Sequence, residues 1–214
     1  RGGHRLAVAA ERIVRCVRVK LSRLFNADDP KRIIHCLNGT DALNMALKGS
    51  LGEGDHVVCN QLDHNSVSRP LEALAARKFV TLTRVPVAAD GCVDPDAVRK
   101  AITPATRLVT TVHASNVTGI IQPVAEMGRI AREHDLLFLV DAAQTAGVVD
   151  IDVEAMQIDL LSLSGHKIYG PKGVGILYVR RKPRVRLTAQ ISGGGQERAM
   201  RSGTLPVPLC VGMG

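Results

Sequence analysis

Leu108-Val-Thr-Thr-Val112, then Val124-Ala-Glu-Met-Gly-Arg-Ile-Ala-Arg-Glu-His134, then Leu136-Leu-Phe-Leu-Val140 are the three runs whose reading decides the fold. The outer two are short and apolar, as strands buried on both faces are, while the middle one repeats its apolar residues near the helical period. A strand, a helix and a strand in that order predict two parallel neighbours joined by a crossover. Outward from this unit the pattern continues. Strand-like runs occupy Arg32 to Cys36, His56 to Cys59, Val80 to Val85, Asp159 to Ser162 and Gly175 to Val179, and helical patterns occupy Asp41 to Lys48, Ser66 to Arg77 and Pro95 to Ala101. Gly52-Glu-Gly54-Asp55 and Asp90-Gly91 fall between periodic segments, where breakers belong. The expected class is α/β, a mostly parallel central sheet with helices on both faces. An amphipathic helix is expected first, over Leu6 to Leu24, from Ile13, Val14, Val17, Leu21 and Leu24 set among Arg and Lys.

Composition narrows the function classes. The chain of 214 residues is 45% apolar, ample for a buried core. No run reaches the roughly 18 to 20 uninterrupted apolar residues of a membrane span, and Arg1 to Arg5 are not followed by a signal-peptide core, so no membrane is expected and a cytoplasmic setting is the simpler reading. The five cysteines, Cys16, Cys36, Cys59, Cys92 and Cys210, stand singly, without the spacing of a zinc site or a disulfide framework; no metal is expected. A net charge of +8 and the cluster Arg180, Arg181, Lys182, Arg184 and Arg186 raise nucleic acid as a partner, but 2% aromatics leave few stacking platforms. A small anionic ligand or an acidic protein fits better, and a solvated basic face fits the cluster best. The chain opens inside a Gly-rich phrase and reaches Gly214 without an evident closing element, so both ends look cut.

Four segments carry candidate chemistry. In Ser162-Leu-Ser-Gly-His-Lys-Ile-Tyr-Gly-Pro-Lys-Gly173 a strand ends in small and polar residues, followed by Lys167 and a Gly/Pro-rich turn. A lysine at a strand's carboxyl end lies where open α/β sheets bind ligands and can form a Schiff base with an aldehyde, although most lysines in such loops are surface charges. Leu136 to Gln144 is an apolar strand delivering the carboxylate of Asp141, suited to a protonated ring nitrogen but equally to a helix N-cap. In Leu37-Asn-Gly-Thr-Asp-Ala-Leu43, Gly39 and Thr40 precede a helix, where free amides attract phosphate or simply mark an ordinary capped start. Asp63-His-Asn65 places His64 in a loop, where an imidazole can face a flat ring or shuttle a proton, or be only a loop histidine.

Together, Ser164-Gly-His-Lys-Ile-Tyr-Gly-Pro-Lys-Gly173, Val140-Asp-Ala-Ala-Gln-Thr145, Asn116 within His113 to Gly119, and Arg198-Ala-Met-Arg-Ser-Gly-Thr-Leu-Pro206 resemble the cysteine desulfurases of the class V aminotransferase family. The likeness spans essentially the whole chain. From Ser162 to Gly214, through Tyr178 to Arg186 and Gly193-Gly-Gly-Gln-Glu-Arg198, it is similar to the iron–sulfur-assembly branch. Leu37 to Asn44 and Asp63 to Val67 look more like a broader desulfurase or selenocysteine lyase group. The resemblance implies the large domain of a PLP-dependent fold type I enzyme over residues 1–214, lacking an opening segment and a carboxyl-terminal small domain. It implies pyridoxal 5'-phosphate (PLP), with Lys167 bonded to it, His64 stacked on its ring and moving protons, and Asp141 at the ring nitrogen. Gln144 and Asn116 would lie beside the ring oxygen or the substrate. Gly39, Thr40, Ser164 and His166 would hold the phosphate, and Thr204 would reach the phosphate in a neighbouring subunit, as a homodimer requires.

The implied reaction converts L-cysteine to L-alanine and passes sulfur to an enzyme thiol, then to a sulfur-acceptor or scaffold protein. None of the five cysteines matches the family's nucleophile position. The expectation is therefore a partial cofactor site without full turnover. Selenocysteine lyase or another class V activity shares the same residues. A non-catalytic dimerisation or docking module working through Arg180 to Arg186, or a nucleotide site at Gly193 to Gly195, are the rivals from other classes.

Overall fold

The computed structural model describes residues 3–214. Helix α1 (Arg5–Leu24) is followed by a 3-10 turn (Pro30–Arg32), β1 (Ile33–Cys36), α2 (Gly39–Ser50), β2 (Asp55–Asn60), α3 (Asn65–Ala76) and β3 (Val80–Val85). Then come α4 (Pro95–Ala101), β4 (Thr106–Val112), α5 (Val124–Glu133), β5 (Leu137–Asp141), β6 (Leu160–Ser164), β7 (Gly175–Val179) and α6 (Val207–Met213). Every expected strand and helix is present within a few residues of its expected bounds.

The strands form one seven-stranded sheet in the order β1-β7-β6-β5-β4-β2-β3. β3, β2, β4, β5 and β6 pair in parallel, whereas β7 runs antiparallel to both β6 and β1. The exception has a simple cause. Gly165 to Val174, between β6 and β7, contains only one 3-10 turn, too little chain for the helical crossover a parallel neighbour needs.

Strand side chains alternate between two apolar layers. Val58, Val109, Phe138, Val140, Leu161, Leu163, Ile176 and Tyr178 pack toward α1, α4, α5 and α6, while Val57, Leu108, Leu139, Leu160, Leu177 and Val179 pack toward α2 and α3. Burial on both faces explains why the strands read as continuous apolar runs. Gly128 of α5 lets that helix approach closely: a Cβ there would stand 2.0 Å from the Met156 carbonyl oxygen.

Three expectations need correction. A helix, α6, occupies Val207–Met213 where none was expected; it buries Cys210 and Met213 and packs beside α1. Its apolar spacing is hidden by Pro206, Pro208 and Gly212. Within α1, Val14, Val17 and Leu21 are buried, but Ile13 and Leu24 remain exposed. Arg180 is no part of a basic surface. It is 3% exposed and donates to the carbonyls of Val153 and Ile158, with Glu154 and Asp159 as ion-pair partners, so it ties the sheet to the loop before β6.

Candidate functional site

The carboxyl ends of β4, β5 and β6 face the amino end of α2 across a cavity of about 360 Å³, within the size range of small-molecule sites. Its lining includes Gly39, Thr40, His64, Asn116, Asp141, Gln144, Ser164, His166 and Lys167. These are all but one of the expected site residues. Thr204 is exposed and does not line the cavity. Gly193 to Gly195 do not line it either.

Each side chain arrives there for a local reason. Asn38 caps α2, its Oδ1 accepting the Asp41 N–H at 2.9 Å, so the chain turns sharply out of β1 and presents Gly39 and Thr40 as the first helical residues. The capped helix start is present, and the first residues of that helix line the cavity. Asp141 is the last residue of β5 and accepts the Ala143 N–H at 3.0 Å through Oδ1. It caps no helix, because residues 143–148 form turns. Lys167 closes the 3-10 turn Gly165–Lys167 directly after β6.

His64 is the N-cap of α3. Its Nδ1 accepts the Ser66 N–H at 3.1 Å, so the neutral ring carries its hydrogen on Nε2. Ser66 Oγ also lies 3.0 Å from His64 Nδ1 and 2.8 Å from Thr40 Oγ1, linking α3 to the start of α2. Across the cavity, Ser164 Oγ and His166 Nδ1 are 3.0 Å apart. The wall nearest α2 is therefore built from hydroxyls, an imidazole and free helix-end amides, a donor set suited to an anion.

Burial raises the pKa of Asp141, and the Ala143 amide and nearby His64 pull it back. A cation brought to this carboxylate would restore its charge. Lys167 and His166 are exposed, open to whatever enters. Asp63, just behind His64, is pushed up to about 7, chiefly by burial.

Sequence reasoning missed several lining residues. Asn38 was readable as an N-cap type before a helix, and Ser66 as a hydroxyl in the first turn of α3. Leu43, Val112 and Ala143 carry no local signal and are recruited by packing alone. Among the described residues, no cysteine lines the cavity: Cys36, Cys59 and Cys210 are buried, Cys16 is exposed on α1, and Cys92 lies partly buried in the loop before α4. Burial drives the Cys36 and Cys210 thiols up and pushes that of Cys59 to about 12.

Comparison with known proteins agrees with this geometry. The Aminotransferase class-V family model matches residues 1–214. Cysteine desulfurase IscS of Anaeromyxobacter dehalogenans (strain 2CP-C) is 46% identical over 215 residues, an overlap covering 99% of this chain and 53% of that protein. Cysteine desulfurase IscS of Tolumonas auensis is 45% identical over the same shares. The chain spans about half the length of these relatives. Among solved structures, "SspA in complex with cysteine" superimposes with a TM-score of 0.94 at 38% identity, covering 99% of this chain and 62% of that one. DndA from Streptomyces lividans gives 0.88 at 35% identity, covering 100% of this chain and 62% of that one. With the family match running from end to end and the lysine, carboxylate and imidazole gathered in one cavity, the chain belongs to the class-V aminotransferase family.

Proposed function

We propose that residues 1–214 form the cofactor-binding large domain of a cysteine desulfurase, with pyridoxal 5'-phosphate held in the cavity at the carboxyl edge of the sheet. One observation carries the reading. A single cavity collects the Lys167 amine, the buried Asp141 carboxylate, the His64 imidazole and a wall of small donors, which are the functions an aldehyde, a ring nitrogen, a flat ring and a phosphate each require.

The donors fit the group. Thr40, Ser164 and His166, with the first amides of α2, would take the phosphate, and Ser66 would orient Thr40 and His64. Asp141 would meet the ring nitrogen, while Gln144 and Asn116 would lie at the ring oxygen or the substrate. When bound, the cofactor supplies an electron sink for the charge left on the substrate after proton loss. Lys167 would bond the aldehyde and, once displaced, move a proton at the substrate carbon; His64 would carry a proton through Nε2. The low-dielectric setting of Asp141 would strengthen its attraction for a cationic ring nitrogen.

L-cysteine as substrate is supported by the likeness to proteins named cysteine desulfurase and to a structure holding cysteine. The sulfur then passes to a thiol outside the five cysteines of this chain, since none lines the cavity, and on to an acceptor or scaffold protein for iron–sulfur assembly. A homodimer in which Thr204 completes the neighbouring site, working in the cytoplasm, is part of the same reading.

The test is direct. Mixing the chain with pyridoxal 5'-phosphate should give an absorbance band near the visible edge that borohydride removes, and peptide mass spectrometry should find the reduced adduct on Lys167. Lys167→Ala should give neither. Adducts scattered over surface lysines, with Lys167 unmodified, would refute the assignment.

A further inference from the structure

Ser66 lines the cavity yet is only 8% exposed, enclosed between two exposed side chains, Thr40 in the first turn of α2 and His64 at the cap of α3. Its Oγ lies 2.8 Å from Thr40 Oγ1 and 3.0 Å from His64 Nδ1, and among the described residues neither hydroxyl has another hydrogen-bond partner. Each hydroxyl owns a single hydrogen. The direction of one contact therefore fixes the direction of the other.

The helix cap sets that direction. His64 Nδ1 accepts the Ser66 N–H at 3.1 Å and carries no hydrogen in the neutral ring, so in its contact with Ser66 Oγ only the hydroxyl can donate. With the Ser66 hydrogen committed to His64, the remaining contact is Thr40 O–H donating to Ser66 Oγ. Thr40 then turns its hydrogen away from the cavity. An anion at this wall draws that hydrogen to itself, whereupon Thr40 Oγ1 accepts from Ser66 and His64 Nδ1 keeps the Ser66 N–H alone. Hydrogen bonds in such a chain polarise one another, so the two reverse together.

We infer that Ser66 is a positioning residue, the centre of a two-hydrogen relay through which an anion at Thr40 withdraws the hydroxyl donor from His64 Nδ1. The lone pair at Nδ1 is then held by one donor in place of two, and the imidazole is readier to take up the proton it would carry. An alanine at this position would keep the N–H and the cap but break the relay. The use of this coupling in a reaction rests on the cofactor reading above, whereas the relay itself needs only an anion.

The experiment follows the ring nitrogens of His64 by nitrogen NMR in the full chain, at one fixed alkaline pH that keeps the ring neutral, as inorganic phosphate or pyridoxal 5'-phosphate is added. The backbone amides of Gly39 and Thr40 report independently on whether the wall is occupied. Loss of the hydroxyl donor should move the Nδ1 signal downfield in the unaltered chain and in Ser66→Thr, which keeps a hydroxyl. In Ser66→Ala the two amides should still respond while Nδ1 stays in place, and Thr40→Val should lose the Nδ1 shift as well. An equal Nδ1 shift in Ser66→Ala would mean that the field of the anion reaches the ring through space, and it overturns the relay. A motionless Nδ1 in the unaltered chain overturns it too, whether or not the amides respond. A Lys167 adduct formed without any Nδ1 shift sinks the relay alone, whereas an Nδ1 shift with phosphate and no Lys167 adduct supports the relay and refutes the cofactor reading.

Discussion

His35 buries both ring nitrogens without a hydrogen-bond partner, in a residue 1% exposed, and burial with the nearby Arg18 cation lowers its pKa to about 3. The unfolded chain binds a proton there below roughly 6.5 while the folded chain does not. Stability from this group is therefore present above that value and is lost as pH falls toward 3. Asp63 acts in the opposite sense. Its folded value near 7 lies above the unfolded value of about 3.9, so its contribution is present at low pH and is lost as pH rises from about 4 through 7. Urea titrations should show His35→Phe removing on the order of a few kcal/mol of acid sensitivity. They should also show Asp63→Asn gaining stability relative to the unaltered chain as pH rises through that window. Superimposable pH profiles for a variant and the parent would contradict the corresponding assignment.

At the scale of elements, the site depends on how β1 hands the chain to α2 across β7. Gly175, the first residue of β7, passes under that turn: a Cβ there would lie 2.7 Å from the Leu163 carbonyl oxygen and 2.8 Å from the Asn38 carbonyl carbon. Both contacts are backbone and cannot rotate away. Gly175→Ala should destabilise the fold by about 1–3 kcal/mol and displace the first turn of α2, weakening the anion wall more than a surface substitution of equal cost. Asn38→Ala, which removes only the cap to Asp41, should cost about 1 kcal/mol. Chemical denaturation ranks the two, and an order with Asn38→Ala clearly worse would show that the crossing is less tight than its geometry.

On the scale of the whole molecule, the irregular segment 187–206 is tied to the body by ions. Glu197 is 5% exposed, pairs with Arg18 of α1 through both oxygens and accepts the His35 N–H at 2.8 Å, while Arg201 meets Asp41 at 3.1 Å. Arg18→Ala would leave the Glu197 charge buried and unpaired, a loss of about 3–5 kcal/mol, and limited proteolysis should then cut first within that segment. Turnover is also decided at this scale. With all five cysteines away from the cavity, the chain alone should bind cofactor yet fail to release alanine steadily from cysteine, and sustained release would refute this.

The periodicity of Leu108 to Val140 was enough to read a parallel α/β sheet, because strands covered on both faces must be apolar throughout and their crossovers must be amphipathic. Lys167, Asp141, Gly39 and His64 were legible as residue types at strand or helix ends, where ligands collect. What only tertiary structure decided is their convergence. The order β1-β7-β6-β5-β4-β2-β3 brings α2 opposite the ends of β4, β5 and β6, and no local pattern encodes strand order. The same holds for Arg180 and Asp63. Each reads as an ordinary charged residue in a polar stretch; Arg180 acquires its meaning from partners in the loop before β6, and Asp63 from the packing that removes it from water.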